Sequence, residues 1–439
     1  MSSDPTWEKM TLNEAGVTLI DCDHRTPPAT EVGYPYIAIP QLKDGHISLE
    51  GVRRISQEHY QEWTRKLKPQ ANDVIVVRRC NSGLSAVVPP NFDCAIGQNL
   101  IILRSDSKKV APEFLRWLVR GPEWWEQVGK FINVGAVFDS LRCRDIPNFE
   151  LSIPPIESQR EISLLLGALD DRIALLRDTN ATLEAIVQTL FKSWFVDFDP
   201  VRAKQEGRAP EGMDEETAAL FPDEFELSTR GSIPRGWRVG PILDGARLLS
   251  GGTPKTDRSE YWEGEIPWAS AKDVSQSADS ILIETERTIT KRGLEESSTK
   301  MIPAFASVVV ARGATTGRMV LFGESMAMNQ TCYALDSKTG TPIALYCQLR
   351  REVIGLVNAA HGSVFDTITT STFAQSAVVH PPESPLKAFE EVTAPLYQKI
   401  LAGTKTLRFL SSLRDTLLPR LISGQLRLPD AEALIDEAA

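Results

Sequence analysis

Two short elements of this chain nearly coincide: "GAVFDS" at 135–140 and "GSVFDT" at 362–367, 227 positions apart. They set Asp139 and Asp366 at matching points, and a pair of carboxylates is common equipment for general acid–base catalysis. An Asp that recurs at one point of a repeat reads better as a turn or capping residue, because its short side chain accepts hydrogen bonds from nearby backbone amides. The other reactive types form no constellation. His24, His46, His59, His361 and His380 lack metal-ligand spacing, and Cys22, Cys80, Cys94, Cys143, Cys332 and Cys347 include no CxxC pair. The thiols read as reduced and mostly buried, which suits a cytoplasmic protein.

Several nucleotide-handling signatures are missing as well. There is no GxxxxGK[ST] phosphate loop, no GxGxxG after a strand and no HExxH. An Asn or Asp followed by Pro-Pro and an aromatic, the adenine-methyltransferase signature, is absent, and "VPPNF" at 88–92 does not supply it. A duplicated fold with no duplicated reactive cluster points to recognition rather than catalysis.

The duplication reaches far beyond six residues. "VIVVRRCNSGLSAVV" (74–88) resembles "VVVARGATTGRMVLF" (308–322), matching Arg78 with Arg312 and Gly83 with Gly317. "CAIGQNLIIL" (94–103) matches "MAMNQTCYAL" (326–335), Gln98 against Gln330, and "PYIAIPQLKD" (35–44) echoes "PWASAKDVSQ" (267–276). Both copies end on a double proline, Pro154-Pro155 and Pro381-Pro382, and run into a helical pattern. Within each copy, short β segments stand around Gly and Pro, with helices expected at 111–128 and 341–360.

The helical patterns carry the strongest periodicity. Ile162, Leu166, Leu169, Ile173, Leu176, Asn180, Leu183, Val187, Leu190 and Trp194 alternate in steps of four and three, a heptad seam. The matching positions 227 later are Phe389, Thr393, Leu396, Ile400, Gly403, Leu407, Leu410, Arg414, Leu417 and Leu421, so Thr393, Gly403 and Arg414 interrupt the second seam. A helix of about 38 residues is about 57 Å long and needs a partner for such a seam. The repeat favours pairing of the two helices within one chain, with Asn180 helping to fix their register.

The formal charge of −10 is unevenly placed. Residues 206–226 carry eight acids and one Arg, and 428–439 carry four acids and no base. These two segments account for the whole deficit, so the body is near neutral and basic patches on it are compatible with the total. No apolar run reaches the roughly 18 residues of a membrane span, and "MSSDPTWEKM" has no apolar core of a signal peptide.

"IPPIESQREISLLLGALDDRIALLRDTNATLEAIVQTLFKSWFVDFDPV" (153–201) closely resembles the central conserved region of type I restriction–modification specificity subunits. "SIPRGWRV" (232–239) looks like the usual start of their second target recognition domain. "GGTPKT" (251–256) and "GEIPWASAKDV" (264–274) resemble its opening strands, and "LRDTLLPRLISGQLRL" (413–428) is similar to the C-terminal conserved region. The resemblance implies an α+β fold of two β-rich target recognition domains separated by two long antiparallel coiled-coil helices, with a pseudo-two-fold internal repeat. It divides the chain into a first recognition domain (1–153), a central helix (154–198), an acidic linker (199–231), a second recognition domain (232–380), a second helix (381–427) and an acidic tail (428–439). The linker is expected to be partly helical at "MDEETAALF".

The resemblance also implies a role. Each domain would read one half of a split double-stranded DNA site. The helices would dock two methyltransferase subunits, which bring S-adenosylmethionine, and restriction (motor nuclease) subunits would join. The chain itself would hold no cofactor and no metal and catalyse nothing. Arg pairs bidentately with guanine and Asn or Gln with adenine, while Lys and Arg meet phosphates. The expected DNA-contacting residues are Lys43, Arg78, Arg79, Asn81, Ser82 and Gln98 in the first domain, and Lys255, Lys272, Arg312, Thr315, Thr316, Arg318 and Gln330 in the second. Arg78 and Arg312, taken as equivalent, are expected on phosphate; Asn81 and Thr315, which differ, on bases. Gln98 and Gln330 suit either a DNA contact or a repeated scaffold hydrogen bond. Asp171, Arg172, Phe191 and Trp194 are the expected partner-binding residues, although Trp124, Trp125, Trp194 and Trp268 also read as core or helix-packing residues. The alternative is a coiled-coil assembly scaffold whose globular heads bind proteins.

Overall fold

The computed structural model describes residues 7–135, 138–360 and 367–438. Asp366 and His361 lie outside the described residues. The chain forms two compact units, Met1–Ile173 with Phe409–Ala439, and Ala174–Arg408.

The β-rich part of the first unit is built on an antiparallel sheet. Its strands, in spatial order, are Val17–Asp21, Leu100–Ser105, Val74–Val77 and Ser85–Val87. A second sheet places Tyr34–Ile37 antiparallel to Arg53–Ile55 and parallel to Ala95–Ile96. The second unit repeats both: Ala246–Ser250, Cys332–Ser337, Ser307–Val310 and Met319–Phe322 in one sheet, extended by Ile281–Leu282, and Arg287–Ile289, Trp262–Ala269 and Met326–Met328 in the other, extended by Met301–Ile302. Val74–Val77 is buried on both faces, which explains its unbroken apolar run. Each copy is closed by a two-stranded clasp, Glu8–Thr11 with Glu150–Ile153 and Arg238–Pro241 with Ala377–His380.

The double prolines sit directly ahead of two long helices, Ile156–Lys192 and Glu383–Ile422. Proline is tolerated there because the first amides of a helix have no acceptor within it. The heptad positions are buried or half-buried in both units. Ile162, Leu166, Leu169, Leu417 and Leu421 belong to the core of the first; Val187, Phe389 and Ile400 belong to that of the second. Within the second unit the helices pair antiparallel: Asn180 Nδ2 donates to Thr404 Oγ1 (3.2 Å), while Phe191 packs on Phe389.

The interruptions of the second seam each have a partner. A Cβ on Gly403 would lie 2.5 Å from Asn180 Oδ1, so glycine makes room for the asparagine. Thr393 Oγ1 donates to the Phe389 carbonyl (2.8 Å). Arg414, only 2% exposed, pairs with Asp170 (2.7 Å) and Asp44 (3.1 Å) in the first unit.

Two segments read as linker and tail are folded. Residues 199–231 contain the helices Asp199–Gln205 and Glu215–Ala219 and part of the hairpin Phe225–Ser228/Gly231–Pro234. Val201 and Phe221 anchor this segment in an aromatic core with Trp194, Phe195 and Trp237. Leu428–Ala438 is a helix whose Ala431 is fully buried in the first unit. The helix Glu215–Ala219 falls within "MDEETAALF", where the linker is expected to be partly helical, and in both segments a few apolar anchors lie among the acids. No helix among the described residues is long and apolar enough to cross a membrane.

Candidate nucleic-acid interface

The polar turns flanked by apolar strands occupy the same place in both units, and hydrogen bonds fix which residues correspond. Arg78 N–H donates to the Asn99 carbonyl (2.9 Å), and the Arg78 carbonyl accepts from Leu141 N–H (2.8 Å). In the second unit Ala311 makes both bonds, to the Thr331 carbonyl (2.8 Å) and from Ile368 N–H (2.9 Å). One residue on, Arg79 bridges to Ser140 and Arg312 to Thr367. Gly83 and Gly317 close the turns by donating to Val77 and Val310. Arg312 therefore corresponds to Arg79, and Arg78 to Ala311. The sequence alignment of Arg78 with Arg312 is corrected. The second turn, 313–316, is one residue longer than the first, 80–82, and an ungapped comparison hid the extra residue by sliding the strand.

This shift changes which side chains are available. Arg79 and Arg312 are exposed, whereas Arg78 is half-buried, its Nε is sealed from solvent, and its charge acts on the Cys22 and Cys143 thiols. Asn81 is exposed, in a left-handed conformation (φ 76°). Ser82 is buried with its Oγ sealed, so it does not present a hydroxyl for base reading, contrary to expectation. Thr316 Oγ1 donates to the Gly313 carbonyl (2.7 Å) and shapes its turn. Thr315 is exposed and accepts from Ser275 Oγ (2.6 Å), and Arg318 is exposed beside it.

The two glutamines share one scaffold bond. Gln98 Nε2 donates to Thr26 Oγ1 (3.1 Å), and Thr253 Oγ1 donates to Gln330 Oε1. Thr26 and Thr253 stand 227 apart, each followed by proline, so this pairing too carries a signal in the sequence. Lys43 and Lys272 are exposed and pair with Glu50 (2.9 Å) and Glu286 (2.6 Å); exposed pairs of this kind hold a lysine only weakly. Lys255 is exposed, and its carbonyl accepts from Trp262 Nε1 (3.1 Å).

Along the first long helix Asp171 and Arg172 are exposed. Phe191 and Trp194 are not partner surface: both are buried in the aromatic core of the second unit, Trp194 against Phe221 and Phe389. The helix widens into a five-residue π-turn at Ser193–Asp197, which contains Trp194; Phe191 lies in the α-helical turn just before it. Trp124 and Trp268 are core residues, whereas Trp125 is 43% exposed.

One group of metal-type ligands comes together among the described residues, Asp21, Cys22 and His24. Cys22 Sγ lies 3.8 Å from His24 Nδ1, and Asp21 Oδ2 lies 3.1 Å from Nε2. Opposite nitrogens of one ring face the two neighbours, which suits a hydrogen-bonded imidazole. Burial pushes the Cys22 thiol up to about 11, away from the thiolate that a metal prefers. Cys94 and Cys332 are likewise pushed up to about 12 by burial.

The type I restriction modification DNA specificity domain matches this chain twice, over residues 6–185 and 234–385. The chain is 26% identical over 375 residues to the type I restriction enzyme HindI specificity subunit of Haemophilus influenzae, covering 75% of this chain and 81% of that one. It is 23% identical over 418 residues to the MjaIX specificity subunit of Methanocaldococcus jannaschii, covering 92% and 86%. The crystal structure of a type I restriction–modification system S subunit from M. genitalium superposes with a TM-score of 0.61 at 15% identity, over 96% of this chain and 97% of that one, a likeness of fold. With most of its length matched in two copies, the chain belongs to the type I restriction–modification DNA specificity family, whose members recognise DNA sequence and are not the catalytic component.

Proposed function

We propose that this DNA-recognition subunit reads a bipartite duplex site, one half with each β-rich domain. The carrying observation is the repeated turn: register puts one exposed arginine, Arg79 or Arg312, at the same point of each domain, while the residues beyond it differ. Two readers of different half-sites share backbone geometry but not bases. The shared arginines are therefore assigned to phosphate, and Asn81 and Thr315 to base edges. Lys43, Lys255, Lys272 and Arg318 add sequence-independent attraction.

The outward faces of the long helices, including Asp171 and Arg172, are proposed to dock two methyltransferase subunits that bring S-adenosylmethionine. Restriction subunits would join that complex. The chain supplies no cofactor site of its own in this reading.

The test mixes the purified chain with a methyltransferase subunit and a pool of randomised duplexes. Retention of duplexes sharing a split motif supports the proposal. Retention of protein partners without sequence-selected DNA would favour the coiled-coil scaffold instead. Reversing the charges of Asp171 and Arg172 together is expected to weaken the complex on a sizing column while leaving the melting of the isolated chain unchanged.

A further inference from the structure

The Arg79 turn is held by Phe138 and Asp139. Asp139 Oδ1 accepts from Asn81 N–H (3.0 Å), Oδ2 accepts from Ser82 N–H (3.1 Å), and the Asp139 carbonyl accepts from Cys80 N–H (3.2 Å). Cys80 and Asn81 have φ of 59° and 76°. Non-glycine residues in that region cost about 1 kcal/mol or more each, and the structure around them must offset it. Successive amides turned to one side form a concavity that attracts an anion, and here the Asp139 carboxylate fills it. Beside it Phe138 is 45% exposed, with the Arg79 guanidinium 5.7 Å from its ring centroid. The same element thus touches the backbone of Asn81 and the side chain of Arg79. The exposed Asn81 side chain projects from a turn whose backbone is tied to Asp139, while the Arg79 side chain lies against the Phe138 ring.

We infer that Phe138 and Asp139 are positioning residues that touch no base: Asp139 fixes the turn that carries Asn81 and so sets how sharply the first half-site is read, while Phe138 steers Arg79 and so sets affinity for any sequence. This rests on the DNA-reading function proposed above. A turn freed from Asp139 samples several conformations and must be ordered on binding, a cost borne by the contacts of the correct sequence. Phosphate contacts elsewhere, and with them the salt dependence, are untouched.

The experiment uses the full chain with its methyltransferase subunit, a pool of randomised duplexes and sequencing of those retained. Asp139→Ala is expected to lower preference in one half of the enriched motif about tenfold, about 1.4 kcal/mol, leaving the other half and the salt slope on scrambled duplex unchanged. Asp139→Asn, which keeps one acceptor oxygen, is expected to recover part of it. Phe138→Leu is expected to weaken binding to every duplex about two- to threefold. For Asp139→Ala, equal blurring of both halves, or an equal loss on specific and scrambled duplexes, would overturn the inference; for Phe138→Leu, binding unchanged on every duplex would. Amide exchange at Asn81 and Ser82 is expected to accelerate in Asp139→Ala without any DNA present; unchanged exchange would also overturn it. If the unmutated assembly enriches no motif, the DNA-reading function fails, and the exchange result still decides whether Asp139 holds the turn.

Discussion

The two units solve one packing problem with opposite chemistry. In the first, Arg116 stands four residues beyond the Pro112 that opens its helix and meets Asp170 on the first long helix. Asp170 also pairs with Arg414 (2.7 Å) and His46 (3.2 Å), and Asp44 pairs with Arg414 (3.1 Å) and Arg120 (3.3 Å). In the second unit the residue four beyond Pro342 is Tyr346, and the residue 227 after Asp170 is Tyr397. Their rings meet edge to face at 6.0 Å, and Val187 stands where the repeat would put the counterpart of Arg414. The same duplicated frame thus accepts a buried ionic cluster or an aromatic pair. The buried pair at the centre of the ionic cluster fails when either member is lost, because Asp170 or Arg414 is then left buried and charged. An aromatic pair fails in proportion to the volume removed.

The largest effects test that contrast. Arg414→Leu is expected to destabilise the first unit by about 3–5 kcal/mol, since Asp170 is left buried against fewer cations. Hydrogen exchange is expected to rise in the first unit and stay unchanged at the Tyr346–Tyr397 contact. Tyr346→Phe, which keeps the ring, is expected to cost less than about 1.5 kcal/mol. Comparable losses from both substitutions would erase the distinction.

Next in size is Gly403→Ala. Its Cβ would fall 2.5 Å from Asn180 Oδ1, and overpacking of this kind costs about 1–3 kcal/mol. Asn180→Ala in the same chain is expected to relieve the clash, so the double variant melts above Gly403→Ala alone. A double variant no better than the single one would mean that the seam, not the asparagine, objects.

The units are also expected to respond to acid in opposite directions. Burial pushes the Asp170 carboxyl up, but His46, Arg116 and Arg414 outweigh it and hold it well below the usual range. Its stabilisation is present above pH ~3.8 and is lost as the pH falls below that, toward its lowered folded value. Burial pushes Glu390 up to about 7, against the Ile343 and Ala344 amides that donate to it (3.1 and 3.2 Å). Its contribution is greatest below pH ~4.5 and is lost as the pH rises toward about 7. Melting of Glu390→Gln relative to the unmutated chain, followed from pH 4.5 to 8, is expected to improve across that window; a flat difference would remove Glu390 as the cause.

The smallest effect concerns the turns. Arg79→Ala and Arg312→Ala are each expected to reduce the slope of log K against log salt by about one, on any sequence, while Arg78→Ala leaves it unchanged. A reduced slope for Arg78→Ala would restore the alignment seen in the bare sequence.

Much of the frame was legible because it is periodic. Alternating steps of four and three marked both helices, and double prolines marked where they start. Arg78 misled because a single extra turn residue leaves no trace in composition or period; the backbone bonds to Asn99 and Thr331 and the bridges to Ser140 and Thr367 expose it. Trp194 continued the helical pattern into a π-turn that no spacing announces, and Phe191, beside the seam, is buried by aromatic neighbours far away in the sequence, such as Phe389. Asp139 was legible as a turn residue, but its partners, Asn81 and Ser82, lie more than fifty residues upstream, beyond the reach of local pattern.

The division of the chain into units bears on how it folds during synthesis. Ala174–Arg408 is one continuous stretch, whereas the first unit joins Met1–Ile173 to Phe409–Ala439. Ile162 and Leu166, made early, share a core with Leu417, Leu421 and Ala431, made among the last. The part that leaves the ribosome first is therefore the last to be completed. A continuous unit needs no later residues to close its core and can fold while elongation proceeds. Until residues 409 onward arrive, the first helix shows an apolar stripe to solvent, so a stalled or shortened chain is most exposed to aggregation and proteolysis in its earliest-made half.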